Sequence, residues 1–381
     1  MCVSDTDVNT SRSWPSRILH LVDGSVGDHV SPRLDHVEDL VVDRPHDVIL
    51  TVGGPPTGTH GALPLQSRLP ELGSGVLGSL LKRRQLGSAG FDVVHAWGIH
   101  SAMLSAGLQR KQSLAITVDG FDASDSQARR AAAVMLSGRG ACSFGSTRSM
   151  EQAVGLAGGH RFGSGGEEII CPVMNPGRFH DRDEDMRRSW GAGSDTMVMG
   201  VIGSPMEQLN LFDFGSMAPR CSMFHQHVVL VVSSRASRRG DLVRWLASAG
   251  LDVELVFDDR IDAIHTIASS LDMAVAPSSV ACRSRICDVA PILAAAAAGV
   301  PVVLGVNHPA AEYADRNALI HPSVMHGEHQ ATKWLIERLD EACPADREAW
   351  RKQWARHLAE LGALYERAMS LSGASRVTAA S

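Results

Sequence analysis

Two arginines separated by one serine precede a predicted helix in the second half of the sequence. Arg283, Ser284 and Arg285 lie in "SSVACRSRICD", shortly before Pro291, and proline is typical of a first helical turn. Guanidinium groups and the N–H groups of a helix N-terminus both bind phosphate oxygens. The spacing therefore predicts a site for an anionic ligand. The alternative interpretation is that both arginines are solvent-facing loop charges.

Two other residues could transfer protons to or from a substrate. His95 in "FDVVHAWG" and Asp119 in "ITVDGFDAS" lie at the ends of apolar runs that are typical of buried strands. An imidazole or a carboxylate at a strand end can act as an acid, a base or a hydrogen-bonding group for a hydroxyl. The sequence predicts that both face a cleft, although a lone histidine at a strand end is more often structural.

Glycine-containing turns follow two further apolar runs. Gly24 and Gly27 lie in "DGSVGDHV", and Gly203 and Ser204 lie in "GVIGSP". Glycine allows a ligand or another part of the backbone to approach closely. Neither turn has the G-x-G-x-x-G spacing of dinucleotide-binding proteins, and the chain has no Walker-type loop, no G-x-S-x-G and no metal-ligand spacing. These absences weigh against an oxidoreductase, and the sequence requires no metal.

The composition limits the classes of partner. The 381 residues carry a formal net charge of −6, so we expect no nucleic-acid partner. The seven cysteines are scattered without a C-x-x-C pair, and residues 1–16 lack the apolar core of a signal peptide, which together favour a cytoplasmic protein. The longest apolar run, 289–306, contains two prolines and two glycines and is better interpreted as a buried helix and strand. Peripheral membrane contact stays open.

Short apolar runs recur along both halves of the chain, and each is followed by a turn and a helix-like segment. Such runs are typical of parallel strands that are buried on both faces. The pattern predicts an α/β fold with two Rossmann-like, doubly wound parallel sheets that face each other across a cleft.

The predicted domain organisation places the boundary after "CPVMNPGRF", where prolines and a glycine interrupt the pattern. Near the end of the chain, apolar residues recur at helical spacing and must dock on another element; they are Trp350, Trp354, Leu358, Leu361, Tyr365 and Met369. The predicted segments are a flexible tail 1–16, an acceptor-side domain 17–180, a donor-side domain 181–345, a helix at the domain junction 346–372 and a flexible tail 373–381.

Four stretches together carry a resemblance to a known family. They are "FDVVHAWGIHSAMLSAGL", "IICPVMNPGRF", "LDMAVAPSS" and, most specifically, "AAAAAGVPVVLGVNHPAAEY". Their order resembles the GT-B glycosyltransferases, in particular the group-1 family of retaining, nucleotide-sugar-dependent enzymes. The resemblance covers nearly the whole chain. It implies the transfer of a sugar, as in a hexosyltransferase, from a nucleotide sugar to an unidentified hydroxyl acceptor, with the nucleotide sugar as substrate and no further cofactor.

The sequence departs from the family at its signature positions. Two family glutamates, one near the transferred sugar and one on the donor ribose, would fall on Ile286 and Ala294. The Arg and Lys that neutralise the donor diphosphate would fall on Ser204 and Leu209, and a family histidine would fall on Asp119. These departures keep open the alternative that the protein is a catalytically degenerate GT-B binding or scaffold module.

The resemblance also implies roles for individual residues. Asp119 and His95 are the predicted catalytic groups, and Gly24 and Gly27 form the acceptor-side loop. A glutamate introduced at Ala294 is expected to point into the cleft and to fit without unfolding the protein. The predicted donor-binding residues are Gly203, Ser204, Arg260, Arg283, Ser284, Arg285 and Glu312. For Glu312, capping of a helix is the alternative interpretation.

Overall fold

The structure is a computed structural model of the chain. It describes residues 14–23, 32–52, 90–98, 101–102, 105, 113–118, 121–122, 140–156, 167–179, 181–203, 221, 227–234, 236, 239–249, 253–262, 264–276, 285–286, 289–323, 328–340 and 347–378.

The first half of the chain forms a six-stranded parallel sheet in the order β2-β1-β3-β4-β6-β7. Helix α1 (Pro32–Val41) follows β1, and helix α2 (Thr147–Leu156) follows β6. The strands are β1 (Ile18–Asp23), β2 (Val48–Val52), β3 (Val93–Trp97), β4 (Ser113–Val118), β6 (Ala141–Phe144) and β7 (Glu167–Ile169), while β5 (Phe121–Asp122) pairs outside this sheet.

The second half forms another six-stranded parallel sheet, in the order β10-β9-β8-β11-β13-β14. Its strands are β8 (Thr196–Val201), β9 (His227–Val232), β10 (Val253–Phe257), β11 (Met273–Ala276), β13 (Val302–Gly305) and β14 (Ile320–Ser323), and β12 (Arg285–Ile286) lies outside the sheet. The helices are α3 (Glu184–Ser189), α4 (Arg239–Ala249), α5 (Ile264–Ile267), α6 (Ala290–Ala297), α7 (Glu328–Asp340) and α8 (Arg347–Thr378).

Continuous burial explains why these segments form parallel strands. Every residue of β3, β4, β6, β8 and β11 is buried. Side chains alternate between the two faces of a strand, so both faces of each sheet must be covered by helices or loops. The predicted α/β fold with two doubly wound parallel sheets is confirmed.

The five consecutive alanines at 294–298 have a packing role in helix α6. All residues from Pro291 to Ala297 are buried in the core of the second domain, so this short helix is enclosed on every side. Gly299 ends the helix with a φ of 85°, and the N–H groups of Gly299 and Val300 donate to the carbonyls of Ala296 and Ala295. This is the Schellman arrangement, in which glycine avoids the penalty of the left-handed conformation.

The long helix α8 contributes to the hydrophobic cores of both domains. Trp350 belongs to the core of the second domain, whereas Leu361 and Tyr365 belong to the core of the first. Trp354 packs against both cores. The helix continues to Thr378, beyond its predicted end at residue 372. The domain limits near residue 180 stay a prediction, and the last strand of the first sheet ends at Ile169.

Four buried histidines lie where helices α1 and α8 approach the first sheet. His95 contacts Trp97, and His36 approaches His357 with 3.1 Å between their Nε2 atoms. His20 accepts a hydrogen bond from the indole N–H of Trp97. Burial lowers the pKa of all four imidazoles below the ordinary value of 6.5. The cluster is therefore uncharged in the folded protein at neutral pH.

We expect acid to destabilise the first domain through these histidines. Burial lowers the pKa of His357 to about 4 in the folded protein. Below pH 6.5, His357 therefore becomes protonated in the unfolded chain but stays neutral in the folded one. The contribution of His357 to the free energy of unfolding is fully present above pH 6.5 and is lost as the pH falls towards 4. This group alone should lower the free energy of unfolding by about 2 kcal/mol between pH 7 and pH 5.

Urea unfolding of the variant His357→Gln, followed by tryptophan fluorescence at both pH values, measures this contribution. The variant should show a weaker pH dependence than the wild type. His46→Gln, which removes an exposed histidine, is the control and should keep the wild-type dependence. An identical pH dependence in all three proteins would contradict the assignment.

Candidate functional site

The order of strands in each sheet locates the predicted binding cleft. From β1 the first sheet extends to β2 on one side and to β3 on the other, and from β8 the second sheet extends to β9 and to β11. Ligands of open α/β sheets bind beyond the carboxyl ends of the strands at such switch points. The candidate site therefore lies beyond β1 and β3 in the first domain and beyond β8 and β11 in the second.

A glycine with positive φ follows one strand at each switch point. Gly98 comes directly after β3 with a φ of 104°, and Gly203 comes shortly after β8 with a φ of 106°. Only glycine adopts these angles without strain, and the missing Cβ leaves the backbone open to close approach. Gly203 was predicted as a donor-site residue, whereas Gly98 was not. Gly98 is buried and Gly203 is half-buried, so only Gly203 is partly accessible beyond its strand.

Several predicted site residues lie outside the described residues. They are Gly24, Gly27, Asp119, Ser204, Arg283 and Ser284. Arg285 is described through its backbone, which forms strand β12.

A two-stranded antiparallel sheet joins the two domains beside the switch points. Its strand β5 follows β4 of the first sheet, and its strand β12 follows β11 of the second sheet. In this register, Phe121 is opposite Ile286 and Asp122 is opposite Arg285. The segment that contains Asp119 therefore leads directly into a strand that pairs with the segment containing Arg283. The β5–β12 sheet therefore lies next in the chain to the predicted catalytic and diphosphate-binding segments.

A second contact between the domains is made by Glu312. This residue lies in the 3-10 helix Pro309–Arg316, which follows β13. Its two carboxylate oxygens accept hydrogen bonds from the N–H of Thr147, the first residue of α2, at 3.0 and 3.1 Å. A carboxylate at a helix N-terminus is favoured by the exposed N–H groups and the helix dipole. In this structure Glu312 caps a helix of the opposite domain, and its donor-binding role stays a prediction.

Two neighbouring side chains strengthen the same contact. The guanidinium of Arg148, next to Thr147, donates to the carbonyl of Val306 and, at 3.3 Å, to that of His308. The hydroxyl of Tyr313 donates to the carbonyl of Gly145 at 2.6 Å. The bonds therefore run in both directions between the segment after β6 and the segment after β13.

His308 begins the 3-10 helix after β13 and is almost completely buried. Its Nδ1 accepts a hydrogen bond from the N–H of Ala310, so the proton is on Nε2, and Nε2 has no hydrogen-bond partner among the residues that the structure describes. Burial and the nearby Arg148 guanidinium lower the pKa of His308 to about 4. The imidazole is therefore neutral at pH 7 and serves as a cap.

Arg260, predicted to bind the donor, forms an ion pair with Asp258 at the end of β10. Its Nε lies 3.0 and 2.9 Å from the two carboxylate oxygens of Asp258. The indole N–H of Trp190 donates to the same carboxylate at 2.7 Å, and the Arg260 side chain lies over the Trp190 ring. Hydrogen bonds from Arg260 and Trp190 outweigh the effect of burial and lower the pKa of Asp258. The positive charge of Arg260 is therefore compensated within the second domain.

His95 lies in the core of the first domain, and its side chain is 0% exposed. Its Nδ1 is 2.9 Å from the hydroxyl of Tyr365, and its Nε2 is 2.7 Å from the hydroxyl of Thr117. Burial, followed by the neighbouring histidines, lowers the pKa of His95 well below its ordinary value. The expectation that His95 faces the cleft is therefore corrected, because its imidazole links β3 to β4 and α8 inside the domain.

Ala294 also differs from its predicted environment. Its side chain is 2% exposed and belongs to the hydrophobic core of the second domain. A glutamate at this position would not extend into open space, as the sequence suggested, because all residues of α6 from Pro291 to Ala297 are buried.

The residues that join the domains left no local signal in the sequence. Thr147 and Glu312 are 165 residues apart, and nothing local to either residue indicates their contact. Arg148 and Tyr313 were missed for the same reason.

In the part of the chain that the structure describes, no group of three or more histidine, cysteine or acidic side chains could hold a metal ion. No helix in this part of the chain is long and apolar enough to cross a membrane.

Comparison with solved structures shows a shared fold over nearly the whole chain. A glycosyltransferase from Rickettsia africae superposes with a TM-score of 0.65 at 12% identity, covering 93% of this chain and 98% of that one. HepE from Anabaena, solved in complex with UDP-glucose, has a TM-score of 0.60 at 13% identity, with 96% and 99% covered. Sucrose-phosphate synthase from Thermosynechococcus elongatus has a TM-score of 0.58 at 14% identity, with 96% and 100% covered.

These similarities are structural and are not matched at the level of sequence. No protein-family model matches the chain, and no curated protein matches it significantly. The two-domain architecture is that of the GT-B glycosyltransferases.

We expect Ala294→Glu to destabilise the protein. The carboxylate would be buried without a charged partner, which should lower the free energy of unfolding by about 3 kcal/mol or more. Ala247→Glu makes the same change at an exposed position of α4 and is the matched control. Thermal and urea unfolding of both variants measure the difference. Wild-type stability of Ala294→Glu would show that the side chain at 294 reaches solvent.

Proposed function

We propose that this chain, which has the fold of the GT-B glycosyltransferases, transfers a sugar from a nucleotide-sugar donor to a hydroxyl acceptor. The main support is the fold match, which extends over both domains and includes glycosyltransferases from several sources. A reaction between two substrates suits this architecture, because the carboxyl edge of one sheet can bind the donor and that of the other can bind the acceptor.

The donor is proposed to bind beyond β8 and β11 in the second domain. Gly203 leaves the backbone accessible there, and Arg283 and Arg285 come shortly before α6 in the chain. Helix α6 has Pro291 in its first turn, and the side chain of its N-cap residue, Val289, makes no hydrogen bond to the N–H groups of that turn. Uncapped N–H groups at a helix N-terminus can bind phosphate oxygens. The two guanidiniums would replace the Arg and Lys that the family places on the diphosphate.

The chemistry required of the protein is mainly electrostatic. As the bond between the sugar and the diphosphate breaks, negative charge grows on the leaving phosphate oxygens. Preorganised cations stabilise that charge because they need no rearrangement during the reaction. Arg283 and Arg285 are the proposed source of this stabilisation, and Asp119 is the proposed acid or base near the acceptor hydroxyl. We propose no cofactor beyond the nucleotide sugar itself.

A specific observation favours a second candidate, a binding or scaffold module without turnover. Two charged residues predicted for the donor site are already engaged, since Arg260 pairs with Asp258 and Glu312 caps α2. In addition, Ala294 is buried where the family has a carboxylate for the donor ribose. Under this alternative, a nucleotide binds weakly or not at all and no sugar is transferred.

The proposed location is the cytoplasm, where nucleotide sugars are the expected donors and thiols stay reduced. Among the described residues, Cys171 and Cys221 are free thiols. Burial raises the pKa of Cys171 to about 11 and that of Cys221 to about 12, which keeps both thiols protonated and unreactive.

A functional donor site should stabilise the protein against heat. Ligand that binds only the folded state at one hundred times its dissociation constant adds about 2.7 kcal/mol. UDP-glucose is the first probe, because HepE was solved with it, and GDP- and ADP-sugars follow. Uridine at the same concentration is the control without a diphosphate. Stabilisation by a nucleotide sugar together with release of the nucleoside diphosphate would support the transferase. No stabilisation by any of them would contradict the proposal.

Removing either proposed diphosphate ligand should weaken binding of whichever nucleotide sugar stabilises the wild type. Charged hydrogen bonds to phosphate contribute on the order of 1.5 to 3 kcal/mol, so Arg283→Ala and Arg285→Ala should each raise the dissociation constant about tenfold or more. Isothermal titration calorimetry measures this effect. Arg351→Ala removes an exposed arginine of α8 and is the control. Wild-type affinity in both site variants would show that these arginines are surface charges.

A further inference from the structure

The segments after strands β6 and β13 touch each other across the domain boundary. Three side chains make this contact, which we call the interdomain joint: Arg148 from the first domain, and Glu312 and Tyr313 from the second. We propose that Arg148 and Glu312 are positioning residues that fix the distance between the donor-side and acceptor-side edges. This inference rests on the proposed transferase function.

The charged hydrogen bonds of the joint run in both directions between the two domains. Glu312 supplies an acceptor to the first N–H of α2, while Arg148 supplies a donor to the carbonyls of Val306 and His308 after β13. Each domain therefore provides one charged side chain, and each charge binds backbone of the other domain. Charged hydrogen bonds to backbone groups are stronger and more restrictive in angle than contacts between neutral groups. Together they oppose sliding as well as separation of the two edges.

The position of the joint ties it to the candidate site. Strands β6 and β13 are each the fifth strand in the order of their sheet. Strands β4 and β11, which precede β5 and β12 in the chain, are each the fourth. The bridging sheet β5–β12 and the joint therefore connect equivalent places of the two domains. Strands β4 and β11 are next to β3 and β8, where the substrates are proposed to bind, and β6 and β13 are one strand further along each sheet. A small rotation at the joint would change the separation of donor and acceptor.

This role differs from the one that the family resemblance predicted for Glu312. A residue that binds the donor lowers nucleotide affinity when it is removed. A residue that positions two domains lowers the rate of transfer, because misplacement of the reacting groups slows the chemical step. Hence the two roles predict different kinetic results for the same substitution. They also differ in the hydrogen exchange of the Thr147 amide.

The test uses the full chain, four single variants and the double variant Glu312→Ala/Arg148→Ala. Glu312→Ala removes the acceptor of the Thr147 N–H, and Glu312→Gln keeps an oxygen at the same place. Arg148→Ala removes the opposite half of the joint. Asp315→Ala removes an exposed carboxylate from the same 3-10 helix and is the matched control. Amide hydrogen exchange of peptides covering 145–150, small-angle X-ray scattering, nucleotide affinity and the rate of transfer are measured for each protein.

The joint predicts a defined pattern across these variants. In Glu312→Ala, the exchange rate of the Thr147 amide should rise about tenfold or more. In Glu312→Gln and Asp315→Ala, this rate should stay closer to that of the wild type. In Glu312→Ala and Arg148→Ala, kcat should fall about tenfold while the dissociation constant of the nucleotide stays within about threefold. The radius of gyration should increase when both charged halves are removed together.

Other results would overturn the inference. Unchanged exchange at Thr147 in Glu312→Ala would show that the carboxylate does not hold α2 in solution. A large loss of nucleotide affinity with unchanged exchange would assign Glu312 to the donor site. If the wild type binds no nucleotide sugar, the proposed function fails, while exchange and scattering still decide whether the joint holds the domains together.

Discussion

Helix α8 is the element on which the arrangement of the two domains depends. Its first turns pack Trp350 into the core of the second domain, and its later turns pack Leu361 and Tyr365 into the core of the first. Burial of an aromatic or leucine side chain contributes on the order of 1.5 to 3 kcal/mol, so withdrawing the helix from either domain would be strongly unfavourable. The carboxyl edges of the two sheets are consequently held within reach of each other.

Within this frame, ionisable residues of both domains have structural roles. Glu312 and Arg148 join the domains, Arg260 is compensated by Asp258, and His95 is buried against Tyr365. A nucleotide site built on this scaffold would rely on the backbone near Gly203 and on the arginines before α6. This division explains how the two-domain architecture forms without charged side chains at Ser204, Leu209 and Ala294.

The sequence predicted the fold well because burial of both strand faces leaves a strong pattern of apolar runs. It also placed Gly203 at a strand end and identified the apolar stripe of α8. It could not predict the burial of His95, since an apolar run does not show which of its members reaches an edge. The contact of Glu312 with Thr147 was equally inaccessible, because capping across domains depends on tertiary geometry rather than local spacing.

The most direct test of a ligand site between the two sheet edges is hydrogen exchange of the whole chain with and without saturating UDP-glucose. If it binds as proposed, protection should appear in peptides after β8 and in those spanning β11 to α6, and the edge strand β10 should change little. Protection confined to other segments, or no protection with any nucleotide sugar, would contradict a donor site at the second switch point.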